Sequence, residues 1–365
     1  MKRKRVPKMI IGFSVFFAIL LPLILIVFPP SKGKIPQFYD ENGEVIENSI
    51  AEKCYLEVED GNLGMIIMAK DISNPVLLVC GGGPGIPEYL MEYMYPSGLT
   101  DQFVVCYLEY RGTGLSYSSD IKVEEITTEK YISDVVAVSK YLSERFGQEK
   151  IYILGHSFGT YIAIKTVQQY PEYYNAYIAM AQTCNQIESE YLAYDYMKAQ
   201  YEQLGNIKMV EKFENCPIRE SDEMYTKYFS SSLRDTAMHE LGVGTTRDMD
   251  SVISGIFFPS LRCKAYTWQE RINLWRGKGL SAQFPVVNDS THFNAFSEVP
   301  SLQIPIYFFA GKYDYTCCFD LQYEYYEQIN APIKEFYVFD HSAHSPIFEE
   351  PGEAAKLFEA ILKVE

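Results

Sequence analysis

The sequence predicts an α/β fold: a mostly parallel sheet covered by helices on both faces, with a large helical insertion. Three observations predict it. Short continuous apolar runs such as VLLVC at residues 76–80 have the character of strands buried on both faces. These runs alternate with amphipathic stretches of helical length, and strands alternating with helices imply parallel pairing covered on both sides. One interval between strands, about 120 residues rich in Tyr and Glu, is far longer than an ordinary crossover and reads as an inserted cap.

The elements follow in order. Residues 1–8 form a basic segment with Lys2, Arg3, Lys4, Arg5 and Lys8, and residues 9–28 are twenty residues without a charge. As a helix this run is roughly 30 Å long, the thickness of a bilayer's hydrocarbon core. It predicts a single-pass transmembrane anchor, with its basic end in the cytoplasm, the rest of the chain outside it and the lipid bilayer as a partner. A cleaved signal peptide and a secreted product are the alternative, which would call for a shorter apolar region and a small-x-small cleavage site. Residues 29–48 read as a polar linker.

The core begins over residues 49–182. Residues 54–58 and 63–69 flank the turn cluster Glu59-Asp60-Gly61-Asn62 and predict a hairpin. Strands are expected at 76–80, 103–108, 151–154 and 176–181, and helices at 128–146 and 158–170. In the first helix Ile132, Val135, Val136, Leu142 and Phe146 share a face, and Gly147 can end it. The insertion spans residues 183–303. The core resumes over 304–365, with strands at 304–310 and 335–339 and a closing amphipathic helix at 353–362.

Composition narrows the function. Hydrophobic residues make up 47% and charged residues 22%, so a sizeable packed core is expected. The net charge is −16 although the first eight residues are strongly basic, and a surface that acidic repels phosphate backbones, which excludes a nucleic-acid partner. Of the eight cysteines, Cys80 and Cys106 fall inside apolar strands, while Cys317 and Cys318 are adjacent and cannot easily bond to each other. Mostly free buried thiols are expected rather than a disulfide framework. There is no H-E-x-x-H, no paired metal-ligand spacing, no phosphate loop and no dinucleotide fingerprint, so no metal or cofactor is expected.

Residues 151–160, IYILGHSFGT, carry the chemistry. They are a G-x-S-x-G motif preceded by a buried strand and followed by a helical run, the context in which a sharp turn lifts the Ser157 hydroxyl above the sheet. A serine needs a base to take its proton, and the base needs an orienting carboxylate. Among five histidines, His156 adjoins the nucleophile and should point away from it, while His239 and His292 lie in the insertion. His344, just before the final helix, is preferred to His341 as the base. Asp314, directly after the strand at 304–310, is preferred to Asp320 as the carboxylate. The chain order Ser157, Asp314, His344 suits this architecture. The glycine-rich loop at 81–85, GGGPG, follows a strand and allows close approach of the backbone to an acyl group. The amides of Gly83 and Phe158 are the expected oxyanion donors.

GGGPG at 81–85, YRGTGLS at 110–116, GHSFG at 155–159, GKYD at 311–314 and SAHSP at 342–346 together resemble the proline iminopeptidase branch of the α/β-hydrolase superfamily, over residues 54–365. That branch has HGGPG, DQRGxGxS and GxSxGG motifs and a terminal histidine motif. Here Gly81 stands in place of its histidine, and Glu109 and Tyr110 in place of the Asp and Gln before Arg111. The resemblance implies an α/β-hydrolase fold with a cap. It also implies glutamates in the cap that hold the substrate's amino terminus, with Glu190 and Glu270 as the positions that match. The alternative for both is a solvated helix face.

The expectation is a membrane-anchored serine hydrolase acting by acyl transfer to Ser157, an aminopeptidase similar to the proline iminopeptidases and acting on short peptides. A carboxylesterase or lipase of small acyl esters is the alternative, and a non-catalytic binding module on the same fold is the alternative from another class.

Overall fold

The computed structural model describes residues 25 and 28–364. The apolar run at 9–28 lies outside them apart from Leu25 and Phe28, and among the described residues no helix is long and apolar enough to cross a membrane. Eight strands form one sheet: β1 (Ile50–Val58), β2 (Gly61–Ala69), β3 (Val76–Cys80), β4 (Val104–Leu108), β5 (Ile151–His156), β6 (Tyr174–Met180), β7 (Ile306–Gly311) and β8 (Lys334–Phe339). Their order is β1-β2-β4-β3-β5-β6-β7-β8. β1 and β2 form the expected hairpin, with Asp60 at φ 66° in the turn, and β2 meets β4 antiparallel. From β4 to β8 all pairing is parallel.

Successive side chains of a strand face opposite ways, so the apolar runs feed two cores. On one face Leu78, Cys80, Cys106 and Ile153 pack with Val135, Leu142 and Ile162. On the other, Leu77, Val79, Val105 and Leu154 pack with Leu90, Phe358 and Ile361. The helices concerned are α1 (Tyr89–Met94), α2 (Thr128–Phe146), α3 (Phe158–Gln169) and, after the insertion, the last helix at Pro351–Val364. α2 starts at Thr127, whose side chain accepts the Lys130 amide, and stops at Gly147 in the left-handed conformation with φ 65°.

Between β6 and β7 the described chain is helical: α4 (Gln186–Gln203), α5 (Ile207–Glu214), α6 (Asp222–Phe229), α7 (Ser232–Glu240), α8 (Trp268–Ser281) and α9 (Pro285–His292), with short helical turns between them. Only part of this insertion has a core of its own. Tyr194, Tyr201, Phe213, Tyr228 and Met238 cluster together, whereas Tyr266 and Leu274 join one sheet core and Phe284, Val286 and Phe293 the other. The later half of the insertion thus supplies core side chains to the sheet domain. After β7 and β8 come α10 (Phe319–Gln328) and α11 (Pro351–Val364).

The stretch read as a linker is laid along this domain. Ile35 is buried, Gln37 donates to the Ala51 carbonyl, and Tyr39 bridges Val45. The Pro29 carbonyl accepts from Trp268 Nε1 at 3.0 Å and from Arg271 Nη1 at 2.6 Å, and the Phe28 ring stacks on Trp268. Polar composition suggested a free tether, but a buried guanidinium on α8 needs acceptors, and this segment supplies one.

Candidate active site

Four loops at the carboxyl edge of the parallel strands converge, as ligand sites in open α/β sheets do. They follow β3, β5, β7 and β8. Ser157 lies between β5 and α3 with φ 54° and ψ −124°. Holding a non-glycine residue there costs on the order of 1–3 kcal/mol. The flanking glycines make the turn possible: a Cβ on Gly159 would stand 1.9 Å from the Cys80 carbonyl oxygen, and one on Gly155 2.7 Å from the Thr160 Cα. The strand-to-helix turn read from the sequence is present, with the Phe158 amide as the first N–H of α3, which no intrahelical carbonyl can accept.

Asp314 and His344 are brought together. Asp314 is fully buried, with Oδ1 and Oδ2 at 3.1 and 3.0 Å from His344 Nδ1. Its Oδ1 also accepts the Thr316 and Cys317 amides at 2.9 Å each, which fixes the carboxylate from behind. The alternatives Asp320 and His341 are both exposed. The His344 loop is pinned by Glu349, whose Oε1 accepts the amides of Ala343 and Ser345 on either side of the histidine. Burial, opposed by these amides, pushes the Glu349 carboxyl up to about 7. No hydrogen bond joins the Ser157 hydroxyl to the His344 ring among the described residues, while the ring's Nδ1 is held by Asp314. Catalytic hydrogen bonds are often long in the free enzyme and tighten around substrate.

The glycine loop packs against this group. Gly83 has φ +91°, and its amide makes no hydrogen bond among the described residues. The Gly82 amide donates to Glu88 Oε2 at 3.1 Å, so that donor is already used. Glu88 Oε1 lies 2.8 Å from His156 Nδ1, and His156 Nε2 lies 2.9 Å from the His344 carbonyl oxygen. Both ring nitrogens therefore face acceptors, which demands an imidazolium. Burial works against the charge of each partner, yet their mutual attraction and hydrogen bond hold His156 above the ordinary histidine pKa and Glu88 below the ordinary glutamate one. The Glu88 carboxylate fills the space beside Gly81, where a Cβ would meet it at 3.0 Å. The His156 ring ties the glycine loop to the His344 loop.

A cavity of about 270 Å³ opens above Ser157. Phe158, Phe229 and Val287 supply apolar wall, and Thr183, Gln186 and Thr316 polar wall. Among the described residues two cations line it, Arg234 from α7 and Lys278 from α8, and no carboxylate does. Glu190 lies fully buried behind Arg234, accepting from its Nε at 2.7 Å and Nη2 at 2.5 Å, and from Gln186 Nε2 at 3.0 Å. Neither a solvated helix face nor a free amine receptor describes it; it is one half of a buried ion pair. Glu270 is elsewhere. It caps α8 by accepting the Thr267 amide, and it pairs with Lys53 at 2.8 Å.

Ser157, Asp314, His344, Gly83 and Phe158 thus share one edge of the sheet, with Glu190 in the wall behind. Glu88, Glu349, Arg234 and Lys278 escaped sequence reasoning. Each is a charged residue in a loop or helix whose ordinary place is solvent, and only burial gives it a role. The doublet Glu349-Glu350, so soon after His344, was the one local signal available.

The family model for the alpha/beta hydrolase fold matches residues 75–351. A protein of Bacillus subtilis (strain 168) named probable aminopeptidase YbaC is 29% identical over 308 residues, covering 84% of this chain and 94% of its own length. Among solved structures, the proline iminopeptidase of Mycobacterium smegmatis superposes with a TM-score of 0.58 at 17% identity, over 86% of this chain and 98% of that one. The 2-hydroxy-6-oxo-6-phenylhexa-2,4-dienoate hydrolase of a Rhodococcus species superposes with a TM-score of 0.57 at 15% identity, over 86% and 99%. The two superpositions speak to the fold; the family match, together with the convergence of loops at the sheet edge, carries the assignment that this chain belongs to the α/β-hydrolase fold family of hydrolytic enzymes.

Proposed function

We propose that the protein is a serine hydrolase that cleaves by acyl transfer to Ser157. The observation that supports this is the buried Asp314–His344 pair at the same edge of the sheet as a strained Ser157. In this reading His344 Nε2 takes the Ser157 proton as Oγ bonds to the substrate carbonyl carbon, and Asp314 steadies the Nδ1–H and the imidazolium that forms. The amides of Gly83 and Phe158 receive the oxyanion. The proton then passes from His344 to the leaving group, and water, deprotonated by the same ring, releases the acyl group.

The substrate we favour is a short peptide that loses its amino-terminal residue, supported by the relative named as a probable aminopeptidase. Small acyl esters are the second reading, favoured by the absence of any carboxylate among the cavity-lining residues that could receive a substrate ammonium. We also retain residues 9–28 as a membrane anchor, on the strength of that run's length and its basic flank.

A fluorophosphonate probe tests the nucleophile. Labelling is expected on Ser157 and lost in Ser157→Ala; labelling that persists in the variant overturns the assignment. Prolyl and alanyl anilides set against short-chain nitrophenyl esters test the substrate, and ester turnover without amide turnover removes the peptidase reading. Absence of both labelling and turnover leaves the non-catalytic module.

A further inference from the structure

We propose that the cavity above Ser157 recognises a carboxylate on its substrate, and that Lys278, with Arg234 in the same cavity wall, is the receptor. The proposal rests on the serine-hydrolase reading and names the chemistry that its cavity accepts.

Arg234 spends Nε and Nη2 on Glu190, which neutralises the pair and leaves Nη1 without a protein partner among the described residues. The guanidinium stacks over Phe229, 4.8 Å from the ring centre, in the cavity wall. Such a plane, held from behind by a carboxylate, keeps a rigid donor edge for a second one. Lys278 has no carboxylate partner among the described residues. Its Nζ donates to the Gly83 carbonyl at 2.7 Å and the Pro84 carbonyl at 3.2 Å, and one of its three protons has no protein acceptor among the described residues. Desolvation alone lowers its pKa, with no anion to offset it. The ammonium is therefore a half-buried cation in a protein of net charge −16 that has placed none of its own carboxylates on the cavity surface. Buried charges are ordinarily paired, and the missing partner here is one that the substrate can bring.

The ammonium's attachment to Gly83 puts it beside the expected oxyanion donor, so a carboxylate bound there lies within a small molecule's length of the reacting carbonyl. An ammonium in that position is disfavoured by the same charge. In a peptide the carboxylate would be the free carboxyl end of the leaving residue; in an ester it would sit on the acyl chain.

Two matched pairs distinguish these sources with the full-length protein. Alanyl-alanine against alanyl-alaninamide places the charge on the leaving side, and 4-nitrophenyl hydrogen glutarate against its methyl ester places it on the acyl side. In at least one pair kcat/KM is expected to favour the acid by about 10- to 100-fold, the worth of a charge-assisted bond in a sheltered site. In Lys278→Gln, which keeps a donor for the two carbonyls, that ratio is expected to fall toward one; the ratio rather than the absolute rate is the readout. A second measurement needs no variant: glutarate should slow fluorophosphonate labelling of the wild-type protein more than glutaramide does. Equal turnover within both pairs, a preference unchanged in Lys278→Gln, or equal protection by the two competitors each overturns the carboxylate site. Failure of Ser157 to label at all is a different outcome, which removes the nucleophile instead.

Discussion

Glu88 occupies the place that a histidine on the glycine loop would otherwise shape, and its charge raises the His156 pKa. Substituting Glu88→Gln keeps the volume and removes that charge. The expected result is a kcat lower by about 10- to 100-fold, the cost of a small misplacement of catalytic groups, with KM little changed. The His156 ring, followed by nuclear magnetic resonance, should titrate above 6.5 in the parent protein and lower in the variant; a ring that titrates alike in both rules out this role. Two further carboxyls, Glu109 and Glu349, are each raised to about 7 from an ordinary 4.5, mainly by burial. Between those values the folded chain binds more protons than the unfolded one, so stability falls as pH rises from about 4.5 to 7. His156, raised above 6.5, adds stability that is present below that pH and lost as pH climbs through its folded value. Melting temperatures from pH 5 to 8 should therefore decline, and Glu109→Gln should flatten the slope. A flat parent profile contradicts the assignment.

Among the elements, β3 and α3 touch closely at the site. Gly159→Ala drives a methyl group into the Cys80 carbonyl. Overpacking of this kind costs about 1–3 kcal/mol or more, so the denaturant midpoint should drop and labelling of Ser157 should weaken with it. An unaltered midpoint would mean that the strand and helix can part freely. Most elements were legible in the sequence. The continuous apolar runs of β3 and β4 and the one-sided face of α2 ending at Gly147 carry their periodicities in single residues. The insertion was legible as an interruption. That Phe284 and Val286 would sink into the sheet core was not, because a short apolar pair has no period to announce where it packs.

For the whole molecule, the segment after the apolar run is fastened to α8, whose far end carries Lys278 and Ser281 into the cavity wall. An anchor there would hold the exposed Trp268 and Ile272 close to the lipid. The chain has two tryptophans, Trp268 and Trp275, so Trp275→Phe leaves a single reporter. With the full-length variant in vesicles, brominated lipid is expected to quench the emission of Trp268. Unquenched emission in membrane-bound protein means that this face of α8 stands clear of the bilayer.

The positions of Ser157, Asp314 and His344 could be read from the chain alone. A sharp strand-to-helix turn needs its own glycines, and the residues proposed to act with Ser157 follow strands in a set order, so those signals are local. The character of the cavity could not be read. Whether Glu190 meets a substrate or Arg234, and whether Lys278 meets water or a carbonyl, depends on which distant helices close over the serine. A charge looks the same in sequence whether it is solvated or buried; only packing removes the water that would have screened it.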